Sequence, residues 1–248
     1  MINFKNYNFF YDPFPHCTIN EFLEPDVYIN LCKEFPNIDF LKKIKEKKSD
    51  QNKFEKFRLD NLDKNKSFFI NYINSKNTLN NFYEYINSNQ FLNELINFLM
   101  INHIDLRINI NKKFIEKILN KIRKRELFID FEFSSISVDG GFISPHTDGG
   151  NKILGFVIPI IDNDEILKIE NIGTKIYSSN SDEYKYNFYN KTVPHENAEL
   201  IKIMPFEKNI MSLHVKTFNS LHGVGPLTPN TGNKTLFRKS ISMFLSRR

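Results

Sequence analysis

The sequence predicts an α+β fold, with helices in the first half and an antiparallel β-sandwich or jelly roll in the second. Three observations carry this. Over residues 27–35, 79–86, 91–99 and 114–122, apolar side chains recur three and four positions apart, the period of a helix with one buried face. From about Leu127 the pattern becomes short apolar or alternating runs, among them "LFIDFEFSSISV", "KILGFVIPI" and "TLFRKSISMFL". Gly, Pro, Asn and Asp separate these runs, as they do between strands. Helices first and strands afterwards is the order of α+β chains, and no internal repeat competes with it.

With 248 residues and 40% hydrophobic content, the chain can bury one sizeable core. The expected layout is a single domain, 1–248, mainly helical over 1–126 and strand-rich over 127–248. Pro13 and Pro15 push the residues before them toward extended backbone, and "HCTINEFL" beyond them reads as a strand. A helix begins near Pro25, with Asp26 beside it, both favoured in a first turn. Val27, Tyr28, Leu31, Cys32 and Phe35 line one face of it, and Pro36 ends it. Residues 41–66, dense in charge, read as an exposed helix or a mobile loop. "TLNNFYEYI", "FLNELINFLM" and "KKFIEKILNKIRK" are three further helices with core-facing stripes. Later, "GTKIY" and "NIMSLHV" add strands. Between those two lies a long polar connection, roughly 177–200, carrying Tyr184, Tyr186, Phe188 and Tyr189. A loop of that length covers a cavity or packs as an excursion.

The net charge of +5 invites a nucleic-acid reading. Composition speaks against it. Of 34 basic residues only seven are arginine, alanine occurs once and tryptophan never, while Asn, Ile, Lys and Phe abound. This is the imprint of an AT-rich genome, and the lysine excess reads as codon bias on a solvated surface. No run approaches the ~18 apolar residues of a membrane span. The N-terminus lacks the basic start, apolar stretch and cleavage site of a signal peptide. Cys17 and Cys32 make no disulfide framework and are expected to be reduced packing residues of a cytoplasmic protein.

The chemistry gathers around "GGFISPHTDGG". On extended backbone His146 and Asp148 point to one side and Thr147 to the other. An imidazole and a carboxylate so placed can take adjacent positions on one metal ion, although a surface turn would look the same. Two histidines and a carboxylate form the facial triad of non-haem Fe(II) oxygenases, so a third ligand is needed. His222 lies downstream in "SLHGV". Beyond it Arg238 alternates with Ser240 and Ser242 along a strand whose other face carries Phe237, Ile241, Met243 and Leu245. A guanidinium suits bidentate grip of a carboxylate, and the Ser240 hydroxyl can add a hydrogen bond. A solvated arginine on an edge strand is the alternative.

Taken in order, H-x-D, a distal histidine and R-x-S resemble the Fe(II)- and 2-oxoglutarate-dependent dioxygenases, in particular the prolyl 4-hydroxylase-like group. The resemblance covers most of residues 10–30 and about 130–245, from "PFPHCTINEFL" to "RKS". It implies a double-stranded β-helix, a cupin-like jelly-roll core, with N-terminal helices packed on it. It makes His146, Asp148 and His222 the iron ligands. Arg238, assisted by Ser240, would pair with the distal carboxylate of 2-oxoglutarate. Fe(II), 2-oxoglutarate and O2 are the implied cofactors. The implied reaction is hydroxylation of a substrate C–H bond with conversion of 2-oxoglutarate to succinate and CO2. The related halogenases lack the carboxylate ligand, so Asp148 favours hydroxylation.

The sequence departs from the pattern in two places. Where nucleic-acid alkylation-repair members carry a second arginine, this chain has Phe244, which counts against that branch. The tyrosine frequent on the strand before H-x-D is replaced by the serines of "FSSISV", of which Ser137 is a candidate cavity-lining residue. His214 is the rival distal ligand, but "LHGV" fits the family pattern better, leaving His214 to line the cavity or pack. His195 reads as surface; His16 and His103 read as structural. The expected substrate is a small molecule or a surface-glycan precursor, with a protein side chain also open. Two other functions stay in view: a non-catalytic metal-binding jelly-roll protein, and a nucleic-acid-oxidising dioxygenase.

Overall fold

The structure is a computed structural model that describes residues 1–44, 53–62, 66–108, 126–187, 190–229 and 235–247. Its first half holds β1 (Tyr7–Phe10), β2 (His16–Ile19), α1 (Pro25–Glu34), α2 (Ile38–Ile44), β3 (Lys53–Phe54), β4 (Lys56–Asp60), α3 (Lys66–Asn74), α4 (Asn77–Ile86) and α5 (Asn89–Ile101). The second half is nearly all strand: β5 (Leu127–Ser137), β6 (Phe142–His146), β7 (Lys152–Ile160), β8 (Lys175–Ser179), β9 (Ala198–Ile203), β10 (Met211–Val215), β11 (His222–Val224) and β12 (Phe237–Arg247). Two antiparallel sheets form. The larger runs β1-β2-β10-β7-β12-β5-β4, the smaller β3-β6-β11-β8-β9. From β5 to β12 the chain passes back and forth between them, pausing only at the β8–β9 hairpin.

The seven-stranded sheet has two unlike faces, because side chains alternate along a strand. Phe131 and Phe133 of β5, Leu154 and Phe156 of β7, and Ile241 and Met243 of β12 point one way, into a core shared with the helices. Phe131 meets Phe69 of α3 at 5.5 Å, Tyr83 of α4 at 5.7 Å and Phe82 of α4 at 6.3 Å between ring centroids. Burying such a ring is worth about 1.5–3 kcal/mol, so this aromatic layer fixes the helices to the sheet. Arg238, Ser240 and Ser242 point the other way, paired in register with Ile136, Ser134 and Glu132 of β5. That polar face looks toward the smaller sheet. Between the sheets a second apolar cluster, including Ile136, Ile161, Ile169, Phe206 and Val224, closes one end.

The helices are joined by their caps. α4 has no side-chain cap of its own; Glu34, the last residue of α1, accepts from Leu79 N at 2.8 Å and Thr78 N at 3.3 Å. A carboxylate there satisfies first-turn amides and the positive end of the helix. α5 is capped by Ser88, whose hydroxyl accepts from Phe91 N at 3.2 Å. Ser88→Ala is expected to cost about 1 kcal/mol, read from the shift in urea midpoint at constant slope.

Several expectations changed. The charge-rich stretch is not only helix or loop: β4 and the start of α3 lie in it. β6 runs through the glycine- and proline-marked segment up to His146, and β9 begins inside what reads as a long polar connection. The helix expected over "KKFIEKILNKIRK" lies outside the described residues. Cys17 and Cys32 are free, on β2 and α1, and burial pushes both thiols above their ordinary pKa. Among the described residues no helix is long and apolar enough to cross a membrane.

Candidate metal centre

The β6–β11 pairing sets His146 directly opposite His222, with ring centroids 4.6 Å apart. Asp148 joins them two residues past the end of β6. One ligand atom from each of His146, Asp148 and His222 lies within 4.8 Å of the others. Thr147 points away and is fully buried; its hydroxyl donates to Asn187 O at 2.7 Å. Loop and motif are joined twice more, by Val193 N donating to Pro145 O at 2.8 Å and by a bridge between His146 and Thr192.

Hydrogen bonding sets the tautomers. His146 Nδ1 lies 2.8 Å from Ser144 O, and His222 Nδ1 lies 2.9 Å from Ser220 O. A carbonyl only accepts, so each Nδ1 carries the hydrogen and each Nε2 the lone pair. Burial, with His214 beside it, holds the His222 imidazole well below its usual pKa and hence neutral. Asp148 is only 3% exposed. Burial opposes its ionisation, but the Lys152 ammonium and the hydrogen bond from His214 outweigh it and hold the carboxyl well below the usual range. Two imidazoles, each with Nδ1 committed to a carbonyl, and one carboxylate thus converge, a donor set that could hold a divalent metal.

Both oxygens of Asp148 are engaged. Lys152 Nζ donates to Oδ1 and His214 Nε2 donates to Oδ2, each at 2.9 Å. A carboxylate can only accept, so His214 Nε2 bears a hydrogen where a ligand would need a lone pair. His214 therefore orients Asp148, while His222 joins the ligand group. The His214 ring has room because it lies across from Gly155 of β7; a Cβ there would come within 2.2 Å of His214 Cε1. Gly155→Ala is expected to push the ring off Asp148 and destabilise the fold by about 1–3 kcal/mol, measured by urea unfolding.

Arg238 is 3% exposed. Its Nε donates to Ile172 O at 2.7 Å, one terminal nitrogen donates to Thr174 Oγ1 at 3.2 Å, and the guanidinium lies 4.6 Å over the Phe206 ring. Among the described residues no carboxylate pairs with it. Burial lowers its pKa to about 9, so the group is still charged at neutral pH. A buried cation without a counter-charge is costly, and its retention points to an anion.

Arg238, Ser240, His146, Asp148, His222 and His214 all line one cavity of about 160 Å³ between the sheets. Ser137 does not line it. Its hydroxyl accepts from Asp139 N at 3.1 Å in the turn after β5, and strand alternation turns Ser134 to the cavity instead. His16 is buried opposite His214 on β2, outside the ligand group, and His103 and His195 are exposed.

Sequence reasoning missed the other polar wall. Lys56, Arg58 and Asp60 of β4, with Asp130 and Glu132 of β5, also line the cavity. Lys56 Nζ bonds Glu132 at 2.6 Å, and Arg58 Nε lies 3.4 Å from Asp60. The signal was present in "KFRLD", where Phe57 and Leu59 are buried on the other face. Lys152 was also missed. Its ammonium sits 3.1 Å over the centroid of Phe244, the residue that replaces the second arginine.

No family model and no curated protein matches the chain. Solved structures similar to it include prolyl-4-hydroxylase and 2OG-Fe(II) oxygenase family structures. One is a prolyl-4-hydroxylase of Pseudomonas putida, at 10% identity over 94% of this chain and 92% of that one, TM-score 0.48. Another is a 2OG-Fe(II) oxygenase family protein of Caulobacter crescentus, at 10% identity over 94% and 77%, TM-score 0.46. A third is a Neurospora crassa protein in complex with alpha-KG and thymine, at 12% identity over 93% and 76%, TM-score 0.46.

Proposed function

We propose that the chain is an Fe(II)- and 2-oxoglutarate-dependent oxygenase that hydroxylates a C–H bond of a small polar molecule. The carrying observation is that a buried arginine, with no carboxylate partner among the described residues, and a His-Asp-His group open into one cavity. The alternation of β5–β12 between two sheets fits a double-stranded β-helix, with the whole chain as one domain. His146 and His222 would hold iron through Nε2, and Asp148 through a carboxylate oxygen. Arg238, with Ser240, would hold the far carboxylate of 2-oxoglutarate. Bound there, Fe(II), 2-oxoglutarate and O2 supply the oxidising power for hydroxylation, with succinate and CO2 released. The protein's part is to keep the ligand nitrogens deprotonated, the carboxylate ionised and the dicarboxylate in place.

The polarity of the cavity supports the substrate class. Its second wall is charged, with Lys56, Arg58, Asp60 and Glu132, and an apolar substrate would strip water from these groups without replacing its hydrogen bonds. The test is Fe(II)-dependent succinate formation from 2-oxoglutarate, stimulated by a panel of free amino acids, sugars, nucleobases and single-stranded oligonucleotides. Succinate stimulated by a small polar compound and lost in Asp148→Ala is expected. Metal binding with no 2-oxoglutarate binding or turnover would instead mark a non-catalytic metal protein.

A further inference from the structure

Four cations line the cavity: Lys56, Arg58, Lys152 and Arg238. The first two face carboxylates of their own wall, Glu132 and Asp60. Arg238 faces none. Lys152 is different again, because its one acid partner, Asp148 at 2.9 Å, is also a member of the candidate ligand group. A dication held by Asp148 would share that carboxylate's single charge with Lys152. Two positive groups would then stand around one negative one, partly shielded from water. The arrangement favours a second anion at the same end of the cavity.

Lys152 is placed to receive it. An ammonium carries three N–H donors, and Asp148 Oδ1 takes one. The Phe244 ring supports the head from one side at 3.1 Å. The lysine side chain is 23% exposed, so it is held but reachable. Of the serines of "FSSISV", Ser137 is bonded in the turn and Ser135 lies on the face away from the cavity; Ser134 faces the cavity, opposite Ser240 and Arg58, and carries no charge. His214 is committed to Asp148.

The geometry points to Lys152 as the second carboxylate-binding cation: it holds the metal-side carboxylate of the 2-oxo acid whose far carboxylate Arg238 holds. This rests on the function proposed above. The Lys152 ammonium comes from the start of β7 and is seated on the Phe244 ring.

The experiment is calorimetric titration of the full chain, saturated with Mn(II), with two probes. 2-Oxoglutarate has both carboxylates; 2-oxopentanoate has the same carbon chain but ends in a methyl group. Lys152→Met is expected to weaken both probes alike, by about tenfold or more, with Lys152→Arg restoring most of the loss. Arg238→Met should weaken 2-oxoglutarate only. If Lys152→Met binds 2-oxopentanoate within about twofold of the wild type, the proposal is overturned and Lys152 merely supports Asp148. If the wild type binds Mn(II) but neither acid, the oxygenase reading itself fails. Mn(II) affinity alone, measured for each variant, separates damage to the ligand group from loss of the carboxylate contact.

Discussion

Arg238→Met is expected to weaken 2-oxoglutarate binding by about 2–5 kcal/mol, ~30-fold to several-thousand-fold, and to leave the ligand-free fold no less stable. The two effects differ because the arginine does two things. In the ligand-free protein it is a buried charge with two hydrogen bonds and no counter-charge. Methionine removes that desolvation cost and keeps much of the volume. Toward a carboxylate, the same guanidinium is the main attraction. Calorimetric titration and urea unfolding of one variant read both quantities. Loss of stability matching the loss of affinity would instead make Arg238 a structural strut. A pH dependence follows from its pKa of about 9. Anion binding needs the proton, so 2-oxoglutarate affinity should fall as pH rises through that value, and Arg238→Met should lack this fall. The ligand-free fold should gain stability as pH rises above about 9, where the unfolded chain still holds the proton that the folded chain has lost.

Asp148→Ala is expected to cost metal affinity more than the ~10–100-fold that follows loss of an outer partner of a metal ligand. It removes the only carboxylate of the ligand group and leaves Lys152 as an uncompensated positive charge beside it. Metal at a hundred times Kd should stabilise the wild type by about 2.7 kcal/mol, and the same concentration should barely stabilise the variant. Equal stabilisation of both would place the metal elsewhere. Asp148→Asn separates charge from shape: it keeps an oxygen acceptor for His214 and should still lose most of the affinity.

Local pattern made some of this readable and distance hid the rest. β12 was legible because Phe237, Ile241, Met243 and Leu245 recur on one face, which fixed Arg238, Ser240 and Ser242 on the other. The separation of Thr147 from His146 and Asp148 followed from the same alternation. β6 was hidden by its own glycines and Pro145, which signal a turn more strongly than five residues can signal a strand. β4 was hidden because its five residues sit in a lysine-rich run, so half the polar wall went unseen. The "LHGV" pattern already favoured His222 over His214; hydrogen-bond direction, which no spacing carries, adds the physical reason. Lys152 depends on Phe244, nearly a hundred residues away, and only the sheet brings the two together.

Thr147 is two things at once. Its neighbours in sequence are His146 and Asp148, and its own hydroxyl is spent on the backbone carbonyl of Asn187. A substitution that displaces Asn187 is therefore expected to move Thr147 and to lower metal affinity although it touches none of the candidate ligands.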